Sequence, residues 1–95
     1  MHNLTASKRS KVDIYSAVLT CLCREGGKAG RASPTRVAHR ANLPYDRFQK
    51  ILDHLVDVGM VRRTDEGLLI THKGLRCLEQ IIRSNEFLRS MGLSV

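Results

Sequence analysis

Ninety-five residues suffice for one small domain, and a chain this short buries only a little over about 60% of its unfolded surface, so a second domain is excluded and association with another copy is favoured. The formal charge of +7 is one-sided: residues 1 to 50 hold ten Lys or Arg against three Asp or Glu, whereas residues 51 to 95 hold six against six. The excess positive field of the first half raises the local concentration of a polyanion, while the absence of any apolar run near the ~20 residues that span a bilayer, and of a secretory apolar segment in MHNLTASKRSK, points to a cytoplasmic, nucleoid-associated protein without a membrane partner.

In chain order, residues 1 to 7 are expected to be disordered, and Lys8, Arg9 and Lys11 follow as a short basic cluster. A helix is predicted from Val12 to about Arg24, its apolar stripe made by Ile14, Ala17, Val18, Cys21 and Leu22 with Tyr15 and Leu19 at the margins. Cys21, Cys23 and Cys77 lack the paired spacing of a structural zinc site, and two cysteines one residue apart do not bridge within a helix, so the three read as small core or half-buried residues of a reducing compartment. The stretch from Gly26 to Ala32, GGKAGRA, reads as a flexible connector. It follows a helix instead of a strand and has neither a G-K-[ST] ending nor a G-x-G-x-x-G spacing, so no nucleotide site is assigned to it.

The stretch from Ser33 to Gly59 reads as two helices joined by a tight turn. Ser33 is suited to cap the first helix, and Pro34 at its first position gives up an N–H that has no helical partner. Val37, Ala38 and Ala41 face inward, and Asn42, which tolerates a left-handed backbone, ends the helix. Leu43 and Phe48 bracket the second start as a hydrophobic staple around Pro44, so the second helix runs from Tyr45 to Val58. Its buried stripe is Phe48, Ile51, Leu52, Leu55 and Val56, and Gly59 closes it with Met60 folding back toward Leu55. Arg47, Lys50 and His54 lie on the opposite side.

Beyond Gly59, MVRRTDEGLLIT contains two short apolar runs around Thr64-Asp65-Glu66-Gly67, the pattern of a β-hairpin. Leu68 and Ile70 share the core face and Leu69 the other. Arg62 and Arg63 precede the turn, and His72 and Lys73 follow the second strand, all four within reach of a phosphate or a minor groove. Thr71 caps a last helix from His72 to about Met91, with Gly74 marking a close approach of another helix near its start. Leu75, Leu78, Ile82 and Asn85 repeat at heptad spacing, and Ile81 and Leu88 form an adjoining stripe. Phe87, Leu88 and Met91 carry the apolar surface beyond what a small core covers, so a homodimer through this helix is expected, its interface made by Leu78, Ile81, Ile82, Asn85 and Leu88.

With that order of elements, the chain resembles the winged-helix superfamily, and more narrowly the small archaeal winged-helix DNA-binding proteins. The residues that carry the resemblance are KRSKVDIYSAVL from Lys8, TRVAHRANLPYDRFQKILDHLVDVGMV from Thr35 and LLITHKG from Leu68. Pro44 stands where that family often has a capping serine, and Leu68 where an aromatic is common. The resemblance implies a mainly α fold with a short β-hairpin: a winged helix-turn-helix over residues 8 to 74 and a dimerisation helix over residues 75 to 95, paired with its mate as an antiparallel coiled coil.

The function expected from these residues is binding of double-stranded DNA, as a transcription regulator or a chromatin-associated architectural factor. Helix 45 to 58 would enter the major groove with Tyr45, Arg47, Gln49, Lys50 and His54, where Arg47 and Lys50 reach guanine acceptors or phosphates and Gln49 reads adenine. Arg36 and Arg40 would hold the phosphate backbone, and Arg62 and Arg63 would contact it from the hairpin. A winged-helix protein-docking module without specific DNA binding is the alternative, because a fold alone does not decide a function. RNA is disfavoured by the few aromatic residues. The histidines His2, His39, His54 and His72 sit near no paired carboxylate or cysteine at ligand spacing, so no catalysis, metal, cofactor or small-molecule substrate is assigned.

Overall fold

The computed structural model describes residues 10–92, so the segment 1 to 7 and the basic residues Lys8 and Arg9 lie outside the described residues. Among the described residues, four α-helices and one antiparallel hairpin follow each other as α1 (Lys11–Arg24), α2 (Pro34–Arg40), α3 (Tyr45–Asp57), β1 (Val61–Thr64), β2 (Gly67–Ile70) and α4 (His72–Ser90).

Helix α1 starts one residue before the expected Val12 because Ser10 and Asp13 form a reciprocal cap. The Asp13 N–H donates to Ser10 Oγ at 3.0 Å, and the Ser10 N–H donates to Asp13 Oδ2 at 3.3 Å. Its buried side is Ile14, Val18, Leu19 and Leu22. Leu19, expected at the margin, is wholly buried, while Ala17 and Cys21 are half-buried. The inward arc is turned toward Leu19 because α1 is packed at once by α2, β2 and α4, a wider cover than a single stripe describes.

Both helix ends in the central motif are closed by local backbone chemistry. Ser33 Oγ accepts from the Arg36 N–H at 3.4 Å at the start of α2. At its end Asn42 takes a φ of 59°, and the Leu43 N–H reaches back to the Ala38 carbonyl at 3.0 Å. The same closure ends α3, where the Met60 N–H donates to the Leu55 carbonyl at 2.9 Å. Leu43 and Phe48, one on each side of Pro44, are both buried, and Pro44 itself gives α3 no side-chain cap.

The segment from Gly26 to Ala32 is held rather than loose. It makes a single 3-10 turn at Gly27–Ala29, after which Ala32 pairs with Leu68 as an isolated antiparallel bridge, with N–H to carbonyl distances of 3.2 and 2.8 Å. This single-residue bridge lies beside the two-stranded pairing of β1 with β2, whose register sets Val61 opposite Ile70 and Thr64 opposite Gly67. Gly67 is required where the strands meet. Its φ is 148°, and a Cβ there would stand 2.6 Å from the Ala32 carbonyl oxygen. Thr64 organises the turn with one hydroxyl, which donates to the Gly30 carbonyl at 2.7 Å and accepts the Glu66 and Gly67 N–H groups, each at 3.1 Å.

Thr71 caps α4, accepting from the Gly74 N–H at 3.1 Å while its own hydroxyl donates to the Gly59 carbonyl at 2.6 Å. Gly74 does mark a close approach, but to the chain entering the hairpin and not to another helix: a Cβ there would collide with the Met60 carbonyl and with Ile70. The core gathers Val18, Leu19 and Leu22 of α1, Val37 of α2, Phe48, Leu52 and Leu55 of α3, Val61, Leu68 and Ile70 of the hairpin, and Leu78 of α4. From Ile82 onward every described residue of α4 is exposed, so the helix leaves the body and the molecule extends to 45 × 26 × 21 Å.

Candidate nucleic-acid interface

Helix α3 turns Phe48, Leu52 and Leu55 into the core, which by the helical repeat places Tyr45, Arg47 and Lys50 outside, all exposed. Arg47 and Lys50 make no ion pair among the described residues. Gln49 is half-buried. Tyr45 stands 6.1 Å from Phe48, ring to ring, and so extends outward from the staple. His54 is exposed, yet its ring lies 5.7 Å from that of Tyr15 on α1, which draws it toward the α1 side. The exposed side also carries Asp46, Asp53 and Asp57, so α3 alone offers three carboxylates against two permanent cations.

The hairpin and α2 supply the remaining cations in different states. Arg62 is exposed on β1, and Arg63 reaches across from β1 to Asp53 of α3, Nη2 to Oδ1 at 2.9 Å. Both partners of that pair are largely exposed, so it contributes under about 1 kcal/mol but removes one carboxylate's charge from the outward side of α3. Lys73, grouped with the hairpin cations from the sequence, donates instead to the Val58 carbonyl at 2.6 Å and closes the end of α3. His72 is exposed. Arg31 pairs with Glu66 at 3.0 Å, fastening the turn of the hairpin to the segment before α2.

Arg36 and Arg40, one helical turn apart on α2, both meet Glu25 at the end of α1. Arg36 Nε donates to Oε1 at 3.0 Å, and Arg40 Nε lies 3.3 Å from Oε2. Glu25 had no part in the sequence-based site. Its only sequence signal is a carboxylate placed at a helix C-terminus, where the helix dipole disfavours it and a cationic partner is needed. Thr35, Arg36, His39 and Arg40 line a shallow recess on the surface of α2.

The residues expected at a dimer interface divide between two environments. Leu78 is buried in the chain's own core and Ile81 is half-buried, whereas Ile82, Asn85 and Leu88 are exposed on the protruding part of α4. Phe87 and Met91 add exposed apolar surface there. Val12, on the first turn of α1, lines a groove with Cys77, Ile81, Asn85 and Leu88. Cys21, Cys23 and Cys77 are all half-buried, and burial pushes the Cys23 thiol above its ordinary pKa against the opposing charge of Lys28. Among the described residues no group of His, Cys, Asp or Glu is arranged to hold a metal ion, and no helix is long and apolar enough to cross a membrane.

The model of the winged helix-turn-helix family matches residues 8–89. An uncharacterized protein of Methanocaldococcus jannaschii is 25% identical over 83 residues, which cover 87% of this chain and 80% of that protein.

Proposed function

This chain belongs to the winged helix-turn-helix family, and on that premise we propose that it is a double-stranded-DNA-binding protein, a transcription regulator or a chromatin-associated architectural factor, that sets α3 in the major groove. Winged helix-turn-helix domains commonly bind double-stranded DNA. The observation that carries the proposal is the exposure of cationic side chains on every element such a domain presents to a duplex: Arg36 and Arg40 on α2, Arg47 and Lys50 on α3, and Arg62 on β1. Arg47 and Lys50, with Tyr45 and Gln49 beside them, address base edges and nearby phosphates. Arg36 and Arg40 hold the backbone and fix orientation. Arg63 is bound to Asp53 in the free protein and reaches DNA only by exchanging that partner.

The body of residues 8 to 74 would act in pairs, joined through α4 by Ile81, Ile82, Asn85 and Leu88, with Leu78 anchoring that helix to its own body. Two linked half-site contacts raise avidity when their spacing matches the duplex repeat of about 34 Å.

A protein-docking role is favoured by one observation, the exposed Asp46 and Asp57 on the outward side of α3, besides the Asp53 that Arg63 offsets, which weaken attraction to phosphate at the helix that should approach most closely. Fluorescence anisotropy on a random duplex pool and on a pool enriched by selection separates the two. For a dimer neutralising about six phosphates, log affinity should fall against log salt with a slope of roughly −5. A slope near zero would refute DNA binding and favour docking to protein. Equal affinity for both pools would assign an architectural role, and tighter binding to the enriched pool a regulatory one.

A further inference from the structure

We infer that Glu25 is a positioning residue that holds Arg36 and Arg40 as a preformed phosphate clamp; the inference rests on the DNA-binding proposal above. The Glu25 side chain is only 12% exposed, whereas the two arginine side chains remain 66% and 60% exposed. A nearly buried carboxylate thus braces two surface cations, the reverse of a surface pair in which both partners wander in solvent. Each oxygen takes one guanidinium, Oε1 from Arg36 and Oε2 from Arg40, and both contacts go through Nε.

The chemistry of the guanidinium makes that detail consequential. Its planar fork offers donors along two edges, one that includes Nε and one formed by the two terminal nitrogens. Glu25 takes the first edge and leaves the second, where Nη1 and Nη2 match the two oxygens of a phosphodiester. Spacing of four residues on α2 stacks the two forks on one face of the helix. Thr35 and His39 line the same recess and add a hydroxyl and an imidazole, so what surrounds the site donates, and Glu25 is the carboxylate that fastens it from behind.

Charge alone and positioning predict opposite signs for one substitution. Replacing Glu25 by Gln removes a negative charge beside a polyanion site, which by electrostatics tightens DNA binding. Loss of the brace instead makes each arginine order itself on binding, which weakens affinity by between about twofold and tenfold for each side chain. The assay is anisotropy titration of the full chain with a fluorescein-labelled duplex of random sequence, for wild type, Glu25→Gln, the double variant Arg36→Lys with Arg40→Lys, and all three substitutions together. The clamp predicts weaker binding by Glu25→Gln despite the gained charge. It predicts weaker binding by the lysine variant despite its unchanged charge, since an ammonium paired with Glu25 has no second edge. It also predicts no further loss when the three are combined. Tighter binding by Glu25→Gln, or wild-type affinity of the lysine variant, overturns the clamp while leaving DNA binding intact. A wild type that does not bind the duplex overturns the DNA-binding proposal and the clamp with it. Circular dichroism monitors folding, and if Glu25→Gln unfolds, the lysine variant, which keeps Glu25, decides alone.

Discussion

Ile82→Glu separates a helix that serves the fold from a helix that joins two chains. Ile82 is 46% exposed, so roughly half of its side chain is shielded within its own chain and the rest stays open to a partner. Since burying a whole isoleucine contributes about 1.5–3 kcal/mol, each half contributes about 1 kcal/mol, one to the monomer and one available to a partner. In a two-fold dimer the substitution occurs twice, so about 2 kcal/mol of apolar contact is lost, and two carboxylates are brought into an apolar seam at a further cost of several kcal/mol. A total above about 4 kcal/mol weakens association about a thousandfold or more. The monomer loses only about 1 kcal/mol, a shift in Tm of about 4–8 °C for a domain of this size. Sedimentation equilibrium should give twice the 10.7 kDa of one chain for the wild type and a single chain for the variant, with far-UV circular dichroism showing both folded. A wild type that stays at 10.7 kDa at high micromolar concentration refutes the reasoning, and a variant that unfolds outright assigns Ile82 to the core of the single chain.

Two further outcomes are expected. Arg47→Ala and Lys50→Ala should each weaken duplex binding more than Asp57→Ala, which lies in the last turn of α3; equal small effects in an anisotropy titration would move the interface to the hairpin. Gly67→Ala should destabilise the fold by about 3 kcal/mol in urea denaturation, because its φ of 148° disfavours a side chain and a Cβ would press on the Ala32 carbonyl. A loss under about 1 kcal/mol would mean that the Ala32 to Leu68 bridge does not hold the hairpin.

What could be read from the sequence was chemistry acting within a few residues. Ser33 with Pro34, Asn42, Gly59 and Thr71 signal helix starts and stops through their own hydroxyls and backbone preferences, and each boundary stands at or beside its expected place. The alternation of Leu68, Leu69 and Ile70 likewise anticipated which side chains of β2 are buried. Features that escaped were made by residues far apart in the chain. Ala32 gives no sign that it will pair with Leu68, since GGKAGRA has the composition of a connector and the partner strand lies 36 positions later. Glu25 could not be connected to Arg36 and Arg40 before α1 and α2 were set side by side. Leu19 appeared marginal because a one-sided stripe was expected, whereas α1 is covered by α2, β2, α4 and the 3-10 turn. For the candidate interface, helical periodicity located Arg47 and Lys50 outside α3, but the capture of Lys73 by a helix-end carbonyl and of Arg63 by Asp53 depends on the folded hairpin.

The junction between α3 and α4 makes the last helix a lever with a stiff joint. Lys73 to the Val58 carbonyl, Thr71 to the Gly59 carbonyl, the Thr71 N–H to the Met60 carbonyl at 3.0 Å, and the bare backbone of Gly74 against Met60 lock the root of α4 onto the end of α3. From that root the 19 residues of α4 run about 28 Å, so a swing of 10° at the joint displaces the tip by about 5 Å. Whatever seats itself on the tip therefore takes hold of the orientation of α3, with no slack segment between them to absorb the motion. One residue inserted in α4 beyond Gly74 would turn the tip by about 100° relative to α3, so the helix works as a protractor as much as a spacer.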